Sequence, residues 1–175
     1  MTSLHPVDLT TMAGCTTLVD FAVQTHARVD VLFNNAALAH FNWIEDITED
    51  EWRQNTRDEV DVVFFPTKAA WSQLKASGGT IVNTASLTGW RVFRLLGGLA
   101  HATAKMGVVA MTKHLAMEGR EHGIRANSIS PGIIETHQSR EQLKHKEWAD
   151  YMLGKTLLGR LGRPEEVANG GMAVW

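Results

Sequence analysis

A single cysteine, Cys15, is all the thiol this chain carries, and one cysteine excludes an internal disulfide framework. Neither sign of charge dominates, with 17 lysines and arginines against 19 aspartates and glutamates and a net charge of −2. That balance gives no basic footprint for nucleic acid and no polybasic segment for a membrane surface. A small molecule or another subunit is the partner such a surface suits. Long hydrophobic runs are missing too: "VDVVFFP" and "MGVVAM" fall far short of a bilayer span. The opening "MTSLHPVDLT" has neither the charged start nor the apolar core of a signal peptide, so the expected location is the cytoplasm. Among the histidines, His5, His26, His40, His114, His122, His137 and His145 show no ligand spacing with cysteine or carboxylate, so no metal site is assigned.

What remains is 175 residues at 44% hydrophobic and 21% charged, enough for one domain with a real core, spanning 1–175. Helical and strand patterns alternate along it, which predicts an α/β domain with a parallel sheet. Thr10 to Arg28 carries a helical stripe through Leu18, Phe21 and Ala22, widened by Val19 and Val23. "VDVLFNNAA" reads as a buried strand running into a turn. Thr48 and Glu51 have capping-box spacing ahead of a helix carrying Trp52. The apolar run Val60 to Trp71 contains Pro66, which predicts a kink or an early helical turn. "GGTIVNTAS" reads as turn, strand and polar exit; Ala100 to His122 is the clearest helix, stopped by Gly123; "GIRANSIS" is a strand and "PGIIETH" a loop. Gln138 to Met152 is expected to form one amphipathic charged helix. A last helix opens at Pro164 with Glu165 and Glu166 at its positive end, and shows no stop signal before Trp175.

The order of these segments resembles the short-chain dehydrogenase/reductase family over nearly the whole chain. "DVLFNNAA" is similar to that family's Asn-Asn-Ala-Gly strand end and "IVNTASLTG" to its serine strand. "HATAK" with the helix behind it resembles the family's Tyr-x-x-x-Lys helix. "HGIRANSISPGIIET" resembles its substrate-side loop, and "LLGRLGRPEEVA" its late Gly-Arg-x-Gly-x-Pro-Glu-Glu-Val segment. The resemblance implies a Rossmann-like parallel sheet with helices on both faces, NAD or NADP as cofactor, and a small alcohol or carbonyl as substrate. It also implies homo-oligomers paired through helices 60–75 and 100–122.

The same resemblance exposes an absence. The family opens with a strand, a glycine-rich turn and a helix that hold the dinucleotide's pyrophosphate at backbone N–H groups. Gly14 stands alone in the first 77 residues, and "MAGCT" lacks the spacing. "HPVDLT" instead resembles the end of the family's third strand, where Asp8 and Leu9 would line the adenine. The fold is therefore expected to be truncated at its N-terminal side, and slightly at its C-terminal side, and this chain to bind NAD or NADP weakly or not at all. Further cofactor contacts carried over are Asn34, Ala36, Lys105, Pro131, Gly132, Ile134 and Thr136. Ala37 stands where the family has glycine.

In the family a tyrosine moves the proton, a lysine four residues on assists it, a serine orients the substrate oxygen and an asparagine anchors a water chain. Here the serine is Ser86 and the lysine Lys105, but the tyrosine position holds His101, and the one tyrosine, Tyr151, lies far downstream. His101 and Lys105 are one helical turn apart on one face. Histidine does general acid–base work and ordinarily titrates near ~6.5. A positive Lys105 disfavours imidazolium, which suits a neutral base, and so alcohol oxidation, better than the acid a carbonyl reduction needs. The asparagine position falls on Glu59. A carboxylate there pairs with Lys105 and helps His101 hold a proton, or else "TRDEVD" is a solvated turn of helix. The alternative to an oxidoreductase is a non-catalytic relative that keeps the fold and acts through oligomerisation.

Overall fold

Among the described residues three parallel strands hold the chain together: β1 (Val31–Asn34), β2 (Thr80–Thr84) and β3 (Arg125–Ile129), adjacent in that order. In this computed structural model the described residues are 6–172. His5 and Trp175, named above, lie outside them. Parallel neighbours require crossovers, and helices supply them. α1 (Met12–His26) precedes β1, α2 (Glu49–Thr56) and α3 (Val62–Ser77) join β1 to β2, and α4 (Leu99–Gly119) joins β2 to β3. After β3 come α5 (His137–Gln142), α6 (Lys146–Leu153) and α7 (Pro164–Met172). Gly78 and Gly123 end their helical segments in the left-handed region, at φ 63° and 71°, where a side chain would be strained.

The register Asn34–Asn83–Ser128 aligns the carboxyl ends of all three strands, so the loops after them open at one end of the sheet. In open parallel sheets that end is where ligands bind. One face of the sheet carries α1, α3 and α4: Val19, Ala70, Leu74, Ile81 and Ile124 form a core cluster, with Leu32 and Leu115 packed on it. α7 covers the other face, where Gly171 sits against the Phe33 ring with no room for a Cβ. Helices on both faces are thus as expected. The expectation of a buried first strand is corrected, because Val31 is 38% and Phe33 41% exposed. β1 is the edge of the described sheet, and the odd residues of the strand point to the thinly covered face.

The expected single helix at 138–152 is also corrected, being two helices broken at Leu143–His145. Thr136 caps α5 by accepting from Ser139 N, which fixes its direction, while α6 turns so that Met152 is buried. Between α2 and α3 the chain makes a π-helical turn, Arg57–Asp61, just upstream of Pro66. Proline has no N–H for the carbonyl four residues back, so the ladder here is irregular. π turns inside helices recur at functional sites. This one turns Asp58 and Glu59 inward, and the solvated-helix reading of "TRDEVD" is overturned: Glu59 is wholly buried.

The capping box is present as read, with Thr48 Oγ1 accepting from Glu51 N and Glu51 returning a carboxylate to Thr48 N at 2.8 Å. Thr48→Ala should lower stability by about 1 kcal/mol, read as a shifted urea midpoint with unchanged slope.

Candidate active site

A chain of buried amides fixes the floor of the carboxyl-end cleft. Asn34 Nδ2 donates to Thr67 Oγ1 at 3.0 Å and to Asn83 Oδ1 at 2.9 Å, and Asn83 Nδ2 donates to Thr112 Oγ1 at 2.9 Å. Both threonines donate onward to helical carbonyls, Val63 O and Val108 O. β1, α3, β2 and α4 are thereby tied together beneath the site, since each buried polar group left alone costs about 1–3 kcal/mol.

Above this floor, four side chains from three segments meet. Ser86 leaves β2 in extended conformation and caps the short turn Leu87–Gly89. His101 and Lys105 stand one turn apart at the start of α4, and Glu59 arrives from the π turn. Glu59 Oε1 lies 2.7 Å from His101 Nδ1 and 3.5 Å from Lys105 Nζ. His101 Nε2 lies 3.3 Å from Ser86 Oγ. Lys105 Nζ also donates to Thr84 O at 3.2 Å. The structure therefore brings together Ser86, His101, Lys105 and Glu59, with Glu59 at the centre of the charge arrangement.

Burial pushes Lys105 below the ordinary lysine range, and the Glu59 carboxylate pulls it part of the way back. With a carboxylate as its partner, His101 Nδ1 is the ring nitrogen placed to donate, and Nε2 faces Ser86 Oγ. Glu59 Oε2 is buried with no hydrogen-bond partner among the described residues. All the polar work of this carboxylate falls on one oxygen.

His101 and Ser86 open into a cavity of about 160 Å³ whose walls include Phe41, Phe93, Leu96, Trp148 and Met152. Its far wall is the 131–136 loop, held to the serine turn by Leu87 N donating to Pro131 O at 3.0 Å. The Phe41 ring lies tilted over His101, with centroids 5.0 Å apart. Two residues here escaped sequence reading. Phe41 is sixty positions from His101 and leaves no local signal. Thr88 hydrogen-bonds Ser86 through Oγ1 at 2.7 Å and through N–H at 3.2 Å, and its spacing two residues after a strand-end serine was the available clue.

The residues carried over as cofactor contacts divide. Pro131, Ile134 and Thr136 line both this cavity and a second one of about 550 Å³ reaching Phe33, Thr84 and α7; Gly132 lines the first. Ala36 is exposed at the end of β1, while the Asn34 amide belongs to the floor network. Asp8 caps its own turn, accepting from Thr10 N and Thr10 Oγ1. Gly14 serves the start of α1: a Cβ there would sit 2.0 Å from Asp8 O. The 131–136 loop thus faces two cavities, while Gly14 packs as a helix-start residue against Asp8 O.

A family model described as enoyl-(acyl carrier protein) reductase matches residues 2–174. Among curated proteins, the chain is 36% identical over 163 residues to (5R,7aS)-5-hydroxy-7a-methyl-1-oxo-2,3,5,6,7,7a-hexahydro-1H-indene-carboxyl-CoA reductase of Mycobacterium tuberculosis, covering 92% of this chain and 61% of that protein. It is 38% identical over 152 residues to cyclohexanol dehydrogenase of an Acinetobacter species, covering 86% and 58%. The solved structure of gox2181 superposes with a TM-score of 0.90 at 30% identity, covering 94% of this chain and 65% of that one. The chain spans about three fifths of the length of the curated relatives it matches. Match, order of motifs and fold agree, and the chain belongs to the short-chain dehydrogenase/reductase family.

Proposed function

We propose that this single domain serves an NAD- or NADP-dependent oxidoreductase of the cytoplasm that interconverts a small alcohol and its carbonyl. The observation that carries this reading is the bridged histidine: Nδ1 on a buried carboxylate, Nε2 beside a serine hydroxyl, at the mouth of a largely apolar cavity. The relatives named as a cyclohexanol dehydrogenase and as a hydroxy-oxo-indene-carboxyl-CoA reductase support the substrate class.

A bound nicotinamide dinucleotide supplies hydride exchange; Lys105, Pro131, Gly132, Ile134 and Thr136 would hold its nicotinamide end, and Asp8 and Leu9 would line its adenine, with Ala36 at the strand end between them. The protein's own residues then manage the proton. Ser86 Oγ hydrogen-bonds the substrate oxygen and aims it at His101. Nε2 takes the hydroxyl proton as the carbonyl forms, and Glu59 keeps the ring oriented and balances the imidazolium. Lys105 sits behind Glu59 as the counter-cation, so the charge on the carboxylate is shared between base and lysine. Phe41 and Trp148 help keep water from the reacting atoms.

Weak hold on the dinucleotide is the expected behaviour of this chain, since a phosphate-binding turn presents several N–H groups at a helix start and Gly14 instead packs against Asp8 O. Titrating NADH and NADPH into the purified chain should give no low-micromolar saturation by fluorescence or calorimetry; tight binding of either would overturn this. Self-association through helices 60–75 and 100–122 is supported by Phe64, Met106 and Met117 being exposed there. Sedimentation should show an oligomer that Phe64→Glu disperses, and a monomeric parent would sink that part of the reading.

Among the described residues no helix is long and apolar enough to cross a membrane, and no cluster of histidine, cysteine and carboxylate is placed to hold a metal.

A further inference from the structure

The tyrosine-to-histidine exchange does more than change which group carries a proton. A phenol has one polar atom, so it cannot face a serine and a carboxylate from opposite ends. Imidazole has two nitrogens across the ring, and here both are engaged, one by Glu59 at 2.7 Å and one by Ser86 at 3.3 Å. We propose that Ser86, His101 and Glu59 also act as nucleophile, base and orienting carboxylate, cleaving activated esters of small apolar acids through an acyl-Ser86 intermediate. This uses the residues of the reading above but needs no dinucleotide.

The hydrogen-bond directions are consistent with that assignment. Ser86 Oγ accepts from Thr88 N–H at 3.2 Å and lies 2.7 Å from the Thr88 hydroxyl, either of which can donate to the other; with Thr88 donating, the Ser86 hydrogen is free for Nε2. A separation of 3.3 Å is loose, as such pairs commonly are without substrate. The cavity in front, about 160 Å³ and walled by Phe41, Leu87, Phe93 and Leu96, suits an acyl group of a few carbons.

In the forward step Ser86 Oγ bonds to the ester carbonyl carbon while its proton passes to Nε2. The carbon–oxygen bond to the leaving alcohol breaks, and the leaving oxygen takes that proton. Water, deprotonated in turn by Nε2, then cleaves the acyl-serine, releasing the acid and restoring Ser86. Each preorganised oxyanion donor is worth about 10²–10³ in rate in hydrolases, and the contacts around Ser86 are those of nucleophile and base. Slow acylation is therefore expected, and a single-event label reads it best.

Diisopropyl fluorophosphate is the probe: Oγ bonds to phosphorus, fluoride leaves, and Nε2 takes the proton. The chain should gain one diisopropylphosphoryl group, mapped by peptide mass to Ser86, and should release p-nitrophenol from p-nitrophenyl acetate. Ser86→Ala should abolish both. His101→Gln, which can hydrogen-bond but is no base, should slow labelling by about 10²-fold or more. Glu59→Gln should slow it less, and the labelling rate of the parent should rise along one ionisation that is lost in the His101 variant. Circular dichroism checks that each variant is folded; if one is not, the pH profile of the parent and the site of its adduct decide. A folded parent with no adduct at Ser86, or an adduct there indifferent to His101, overturns the proposal. Alcohol oxidation without a Ser86 adduct sinks only this proposal, and an adduct without alcohol oxidation sinks only the dehydrogenase reading.

Discussion

Replacing His101 by alanine should reduce alcohol oxidation by about 10²–10⁴-fold in any preparation that reduces NAD or NADP with an alcohol, since that is the range a positioned general base supplies. Among the described residues the ring faces both the cavity and the buried carboxylate, and nothing else in the cluster can take its place: Ser86 is not basic, and Lys105 points at Thr84 O and Glu59. In the parent, oxidation should outrun carbonyl reduction near neutral pH and rise with pH, as expected where a general base takes the proton. His101→Tyr should move that dependence upward, because a phenol ordinarily titrates near ~10 against ~6.5 for imidazole. Progress curves of nicotinamide absorbance across pH test all three. An alanine variant with unaltered turnover rejects His101 as the proton carrier.

The second large effect concerns folding. Glu59 is wholly buried and touches both His101 and Lys105, while Lys105 is 5% exposed. Glu59→Ala removes the charge that offsets a buried ammonium and should cost about 3–5 kcal/mol at neutral pH, the range found when one member of a buried pair is deleted. Its dependence on pH has a definite sign. Desolvation already lowers the Lys105 pKa and Glu59 raises it, so without Glu59 it falls further below the ordinary 10.5. Between that folded value and 10.5 the unfolded chain binds more protons, so stability must rise with pH. Urea midpoints at pH 7 and pH 9 should show the Glu59→Ala deficit shrinking at the higher pH. Glu59→Gln, which keeps the shape and one hydrogen bond, should cost less. A deficit that is constant or grows with pH would show that Lys105 is not the group left uncompensated.

Much of this molecule was legible in its sequence because the signals are local. Hydrophobic period placed the helices and strands, Thr48 and Glu51 announced a helix start by spacing alone, and Gly123 announced a helix end. Ser86, His101 and Lys105 were singled out by register within motifs, and the structure places them in one cluster. Where reading failed, the missing information was non-local. Val31 and Phe33 look like core residues in any window, yet their exposure depends on what lies beside β1 and on how little α7 covers. A continuous amphipathic pattern from 138 to 152 cannot report that Thr136 and Ser139 lock one turn in one direction while Met152 is drawn inward. Glu59 was equally compatible with a solvated helix and with a buried pair, since "TRDEVD" carries no apolar stripe to choose a face.

Sequence by itself therefore determined the family, the α/β order of elements and the identity of the residues available for chemistry, because these reside in short patterns and their succession. Tertiary structure alone decided which atoms meet. A π turn upstream of Pro66 rotates Glu59 inward, the Asn34–Asn83–Thr112 network fixes α3 and α4 at a set distance, and one carboxylate oxygen comes to rest between His101 and Lys105. Forty-two residues separate Glu59 from His101 along the chain, and only packing against the sheet brings them to 2.7 Å.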